Sequence, residues 1–238
     1  MNILGPNTNA SVELLQPRCI VCCGEDAGDL LHLLPTIQMY HEYRSYRFWR
    51  LPGFTLVLSG MGTGCVEPLI WEMTRPKVVR ELVLIGTAGK MPGAAAPLGE
   101  PHVIDRAYLA GTGLDGENLV EPLLPRWDKP LGSIPSASSV STDFFYGFAP
   151  RILTGGYPLA GGRLRALYEK YSNTVDLIDM EVGPFYAFCA AFGDESLRYI
   201  AIKGPSNVLG ADEQQIAETP AVLKRCWETA RVVLELAD

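Results

Sequence analysis

Short apolar runs rich in β-branched residues alternate with longer stretches of helical period along most of this chain. That alternation points to a parallel sheet covered by helices on both faces. The strand candidates are Cys19–Cys23, Phe54–Ser59, Glu81–Ile85, Pro101–Ile104, Ser136–Val140, Val175–Ile178 and Tyr199–Ile202. Helices are expected at Ala27–Tyr40, Cys65–Met73, Arg163–Tyr171, Glu181–Phe192 and from Pro220 to Leu236, where the proline falls in the first turn. A chain of 238 residues suits one α/β domain that buries roughly 70% of its unfolded surface. The expected fold is therefore α/β, a single-domain αβα sandwich over 1–238 with a central, mostly parallel twisted sheet. Residues 1–17 precede the first strand and are expected as a flexible arm. The Gly- and Pro-containing stretch Ala107–Pro135 is too long for an ordinary connection and is expected as a functional loop or interface arm.

Charge and composition remove several classes of function. Twenty Lys and Arg against 27 Asp and Glu give a net charge of -7, so no basic excess exists to neutralise nucleic-acid phosphates. No stretch approaches the ~18 apolar residues of a membrane span, and the opening residues lack the basic and apolar regions of a secretory signal. Neither a nucleic acid nor a membrane is an expected partner, and the cytoplasm is the expected compartment. Cys19, Cys22 and Cys23 lie inside an apolar run, while Cys65, Cys189 and Cys226 are scattered among only three His. No metal-ligand spacing results, so buried free thiols are expected and no metal.

Four strand ends carry small or polar residues where an open α/β sheet places its ligand. The first is Ser59-Gly60-Met61-Gly62-Thr63-Gly64; glycines there permit close backbone approach, and N–H groups at a helix start hold an anion or hydroxyl. Gly86-Thr87-Ala88-Gly89 follows the next strand and reads as a tight turn. In Ser141-Thr142-Asp143-Phe144-Phe145-Tyr146 aromatic rings follow directly on polar side chains, as a flat base requires for stacking. Asp179-Met180-Glu181 opens an apolar helix, and a carboxylate there accepts two hydrogen bonds from a sugar diol. Each block also has a structural reading as a turn, a core cluster or a dipole-matched helix start.

Together, in this order and spacing, the blocks resemble the nucleoside phosphorylase superfamily, which includes purine nucleoside and uridine phosphorylases and methylthioadenosine/S-adenosylhomocysteine nucleosidases. The resemblance runs from about Cys19 to Gly210 and implies a phosphorylase-like fold and cleavage of a nucleoside C1′–N bond. It implies that Glu181 grips the ribose hydroxyls, Met180 packs on the sugar and Phe145 stacks on the base. It also makes Gly62, Thr87, Ala88 and Gly89 substrate-binding positions. Ser206-Asn207 stands where the family carries its Ser-Asp type of motif, so Ser206 would bind the substrate and Asn207 would meet the leaving base. An amide cannot give N7 a full proton, but it hydrogen-bonds the N7 and O6 edge of a 6-oxopurine. A purine nucleoside is the expected small-molecule partner.

The nucleophile is left open between water and phosphate. Where phosphorylases of this family carry a phosphate-binding Arg, this chain has Leu84, and its first loop reads Gly24-Glu25-Asp26-Ala27-Gly28, acidic where a cation is wanted. At an effective dielectric of about 20, a carboxylate 4 Å from phosphate costs on the order of 4 kcal/mol per unit charge. Hydrolysis is therefore favoured, with Glu25 or Asp26 orienting water. Phosphorolysis is the alternative, with phosphate as co-substrate held by Arg44, Arg47 or Arg50; no other cofactor is expected. A nucleoside-binding paralogue without turnover is the third reading, motivated by Leu84 and Asn207. The aromatic and Arg-rich segment His41–Trp49 has the composition of an interface, so a homodimer or larger homo-oligomer is expected.

Overall fold

The computed structural model describes residues 2–24, 30–34, 36–112, 114, 121–143, 166, 169–209 and 219–236. Within them lie strands β1 (Arg18–Cys23), β2 (Met39–Tyr43), β3 (Tyr46–Leu51), β4 (Phe54–Ser59), β5 (Glu81–Lys90), β6 (His102–Leu109), β7 (Ser136–Ser141), β8 (Leu177–Asp179) and β9 (Arg198–Val208). The α-helices are α1 (Thr63–Thr74), α2 (Val182–Phe192) and α3 (Thr219–Val233). The strand order is β2-β3-β4-β1-β5-β8-β7-β6-β9. Parallel pairing joins β4, β1, β5 and β9 through the middle of the sheet. Because β9 pairs with both β6 and β5, the strands β5, β8, β7, β6 and β9 close on themselves, and the sheet is not open along its whole width.

The alternation of side chains along the central strands builds two cores. Cys19 and Val21 of β1, with Leu82 and Leu84 of β5, pack into one core with Val66, Leu69 and Ile70 of α1 and Phe185 of α2. Ile20, Cys22, Val83 and Ile85 point the other way, to Val222, Leu223 and Trp227 of α3. Strands buried on both faces need apolar residues at every position, which is why these runs lack polar alternation. Trp227 closes the second core with its ring 5.6 Å from that of Phe54. All six thiols are free; burial pushes those of Cys19 and Cys226 up to about 12, which leaves them inert. Among the described residues no group of three or more His, Cys, Asp or Glu is placed to hold a metal, and no helix is long and apolar enough to cross a membrane.

Among the described residues of the expected helix Ala27–Tyr40 no α-helix forms. A short 3-10 turn covers 30–33 and β2 begins at Met39, so His41–Trp49 belongs to a hairpin. Aromatic pairing across the two strands decides this: Tyr40 faces Trp49 with ring centroids 5.2 Å apart, and His41 faces Phe48. Arg44 turns the hairpin at φ 55°. The block Gly86–Gly89, read as a turn, is strand, because β5 continues to Lys90 in register with β9, from Gly86↔Lys203 to Gly89↔Asn207. The partner strand overrides the weak β propensity of the small residues. Of the expected irregular stretch Ala107–Pro135, the first residues continue β6, and bridges Ala107–Leu123 and Arg126–Tyr199 pin later ones to the sheet. Of the expected helix Arg163–Tyr171, residues 166 and 169–171 are described, and they are helical.

Residues 2–17, expected as an arm, lie against the domain with Leu4, Leu14 and Leu15 buried. Glu72, fully buried in α1, fastens them. Its Oε1 accepts from the N and Nδ2 of Asn7, each at 2.8 Å, and its Oε2 from the N (2.9 Å) and Oγ1 (2.6 Å) of Thr8. Burial pushes this carboxyl upward, but the hydrogen bonds outweigh it and hold its pKa below the ordinary value.

Candidate active site

β4 ends at Ser59, and the turn Gly60-Met61-Gly62 leads into α1. Gly62 has φ 79°, and a Cβ there would lie 3.0 Å from Oδ1 of Asp143. Conformation and space both require glycine. The same Asp143 oxygen accepts from Thr63 N at 2.9 Å, satisfying one orphan donor of the helix start. Met180 also reaches this turn, its Cε 3.9 Å from the Cβ position of Gly62.

Glu181 stands at the start of α2 and is 4% exposed. Its Oε1 accepts from Gly62 N at 3.3 Å, and its Oε2 accepts from Lys203 Nζ at 2.9 Å. Lys203, 1% exposed, also donates to the carbonyl of Thr87 at 3.4 Å. The ammonium occupies the space of a missing side chain, since a Cβ on Gly86 would sit 2.8 Å from Nζ. Burial works against the charge on Lys203, but Glu181 and Asp179 outweigh it and hold its pKa above that of an ordinary lysine. A carboxylate has about four lone-pair sites. Lys203 and Gly62 use two, and the others remain for two further donors.

Glu181 rests on a second carboxylate. Asp179, fully buried at the end of β8, accepts through Oδ1 from Glu181 N and Val182 N, both at 2.8 Å, and from Ser141 Oγ at 2.7 Å. Its Oδ2 accepts from Ser139 Oγ. Ser141 Oγ in turn accepts from Gly183 N at 2.7 Å.

Of the positions expected to form the site, Gly62, Met180 and Glu181 meet directly, and Thr87 joins them through Lys203. Ala88 is buried and Gly89 lies beside Asn207 in the β5–β9 ladder. Ser206 and Asn207 are half-buried near the end of β9, with Ser206 Oγ donating to Asn207 Oδ1 at 3.4 Å. Glu25, Asp26 and Phe145 lie outside the described residues. Gly24, where the acidic loop departs, packs against Met61. Leu84 is fully buried in the core. Arg47 pairs with Glu42, Arg50 donates to the carbonyls of Glu13 and Leu15, and Arg44 lies over the ring of Tyr43.

Lys203 was not anticipated. Its signal is a lone charge inside the apolar run Tyr-Ile-Ala-Ile-Lys-Gly-Pro, since a lysine is almost never fully buried without a partner.

The family model of the phosphorylase superfamily matches residues 19–237. No curated protein sequence matches the chain. Among solved structures, purine nucleoside phosphorylase from Toxoplasma gondii, in complex with immucillin-H, is similar at 18% identity and a TM-score of 0.70, covering 99% of this chain and 98% of that one. Uridine phosphorylase from Vibrio fischeri is similar at 19% identity and a TM-score of 0.70, with 99% and 97% covered. S-adenosylhomocysteine nucleosidase from Streptococcus pyogenes, in complex with 5-methylthiotubericidin, gives 13% identity and a TM-score of 0.67, with 94% and 98% covered.

Proposed function

The chain belongs to the phosphorylase superfamily, enzymes that act on N-glycosidic bonds, and from that premise we propose that it hydrolyses the C1′–N bond of a purine ribonucleoside. The observation that carries this reading is the carboxylate of Glu181, buried, charge-paired to Lys203 and left with two acceptor sites. A 2′,3′-diol presents two donors for these sites, and charge-assisted bonds to it outweigh neutral ones.

Fixing the ribose in this way leaves C1′ to develop oxocarbenium character as the bond to the base lengthens. The electron pair of the C1′–N bond leaves with the base. Water adds through its oxygen to C1′, giving one proton to a carboxylate, Glu25 or Asp26, and through solvent the base is reprotonated. Asn207 donates from its amide to the N7 and O6 edge of the base, and Phe145 stacks on its face.

Cation placement favours water over phosphate. Lys203 is committed to Glu181, position 84 is a buried leucine, and Arg47 and Arg50 are engaged within the chain. Phosphorolysis is favoured by one observation: Arg44 stands at a hairpin tip over the ring of Tyr43, with no carboxylate paired to it among the described residues, where it could serve a neighbouring subunit. The edge strand β2 and the residues leading into it, with Ile37, Met39 and Tyr40 exposed, support a homo-oligomer, which light scattering would test. A cytoplasmic setting in nucleoside salvage accords with this chemistry.

The test is base release from inosine, guanosine, adenosine and methylthioadenosine, with and without phosphate, together with identification of the sugar product. Free ribose formed at the same rate without phosphate is the expected result. Ribose 1-phosphate formed only with phosphate would overturn hydrolysis, and thermal stabilisation by nucleoside without base release would identify a binding protein.

A further inference from the structure

The start of α2 has an unusual division of labour. A carboxylate at a helix N-cap ordinarily folds back onto the N–H groups of its own first turn. Glu181 makes no such bond. Its second helical residue, Gly183, gives its N–H to Ser141 Oγ at 2.7 Å, and its third is Pro184, which has no N–H to offer. Asp179 takes the N–H groups of Glu181 and Val182, each at 2.8 Å. Three successive backbone donors are thus satisfied from β7 and β8, and the Glu181 side chain is free to turn toward Gly62 and Lys203.

The network is closed and buried. Ser139, Ser141 and Asp179 are each 0% exposed. Both Asp179 oxygens are occupied, Oδ1 by Ser141 and two N–H groups and Oδ2 by Ser139. None of its three side chains makes a hydrogen bond with Lys203 or Gly62 among the described contacts, so apart from the charge of Asp179 beside Lys203 their influence on the site passes through Glu181.

We propose that Asp179, with Ser139 and Ser141, is a positioning residue that caps α2 in place of Glu181, fixes the Glu181 carboxylate against the ribose diol, and so sets the preference for ribose over 2′-deoxyribose. The proposal rests on the reading of Glu181 as the sugar anchor. Its chemistry is selective because a 2′-deoxynucleoside presents one hydroxyl to Glu181 instead of two, and loses less when the carboxylate is displaced. A general loss of fold would lower the turnover of both sugars alike.

Asp179→Ala would orphan two hydroxyls and two N–H groups in a buried site, so Ser141→Ala and Asp179→Asn are the informative variants. The measurement is kcat/KM for a purine ribonucleoside and for its 2′-deoxy counterpart, with thermal melting alongside. A shift of an anchor by a fraction of an ångström costs about tenfold or more, so Ser141→Ala should lose about tenfold on the ribonucleoside and less than about threefold on the 2′-deoxynucleoside. Asp179→Asn retains an oxygen for the two N–H groups and should keep the ratio of the two sugars within about threefold of wild type. If Ser141→Ala does not fold, Ser139→Ala carries the same comparison, with a fall in the ratio of about threefold expected from the loss of one contact to Oδ2. Equal losses on both sugars, or no loss on either, in folded Ser141→Ala (or in Ser139→Ala where it stands in) overturn the inference while the function reading stands. A wild-type protein that releases no base and binds no nucleoside overturns the function reading and this inference with it.

Discussion

Replacing Lys203 with Met removes one member of a buried ion pair and leaves the other. The ammonium is 1% exposed and lies 2.9 Å from Glu181 Oε2; without it, Gly62 N at 3.3 Å is the one donor left to that carboxylate among the described residues. Breaking such a pair costs about 3–5 kcal/mol, because the remaining charge is uncompensated. For a domain of this size that corresponds to a fall in Tm of roughly 6–20 °C. In the wild type the raised pKa of Lys203 contributes stability that is complete below the unfolded lysine value and is lost only as pH rises through the still higher folded value. Its contribution is therefore constant across neutral pH. Removing both partners, in Glu181→Met with Lys203→Met, should be less destabilising than Lys203→Met alone. Thermal and urea unfolding measure the stability. A single variant within about 1 kcal/mol of wild type would refute the reasoning from the buried pair.

Glu72→Gln should cost about 1–3 kcal/mol, since an amide sets an N–H donor against the donors of Asn7 or Thr8. Because the folded pKa of Glu72 is depressed, its stabilisation is present above the ordinary carboxylate range and lost as pH falls through the folded value; urea unfolding from pH 3 to 7 should therefore be less pH-dependent in the variant. Gly86→Ala would put a Cβ 2.8 Å from Lys203 Nζ, displacing the ammonium from Glu181, and should cost about 1–3 kcal/mol with a disproportionate fall in kcat/KM. Melting curves and steady-state rates on the same preparation distinguish that outcome from simple destabilisation.

The central strands were legible because burial on both faces forces unbroken apolar runs, as in Cys19–Cys23 and Glu81–Ile85. The hairpin of β2 and β3 was not. Its residues alternate aromatic and charged side chains, and their meaning depends on cross-strand partners such as Tyr40 and Trp49, which no local pattern encodes. The ends of β5 and β9 were missed for a related reason: small residues at 86–89 look like a turn until a second strand supplies their ladder. At the site, Glu181 and Met180 were readable because the motif is contiguous in sequence. Lys203 and the serines behind Asp179 come from separate strands, β9 and β7, and acquire their roles only when the sheet brings them within hydrogen-bonding distance.

The account stands most directly on Glu181, and the rate of base release by Glu181→Gln beside wild type tests it. The amide oxygen can keep either Gly62 N or Lys203 Nζ, which bond different oxygens of Glu181, and its NH2 group cannot accept from a ribose hydroxyl. Loss of charge-assisted bonds to the diol, about 1.5 kcal/mol or more for each hydroxyl, predicts a fall in kcat/KM of about 10²-fold or greater in a folded variant. Release of base by Glu181→Gln at the wild-type rate, on every nucleoside the wild type accepts, would contradict it.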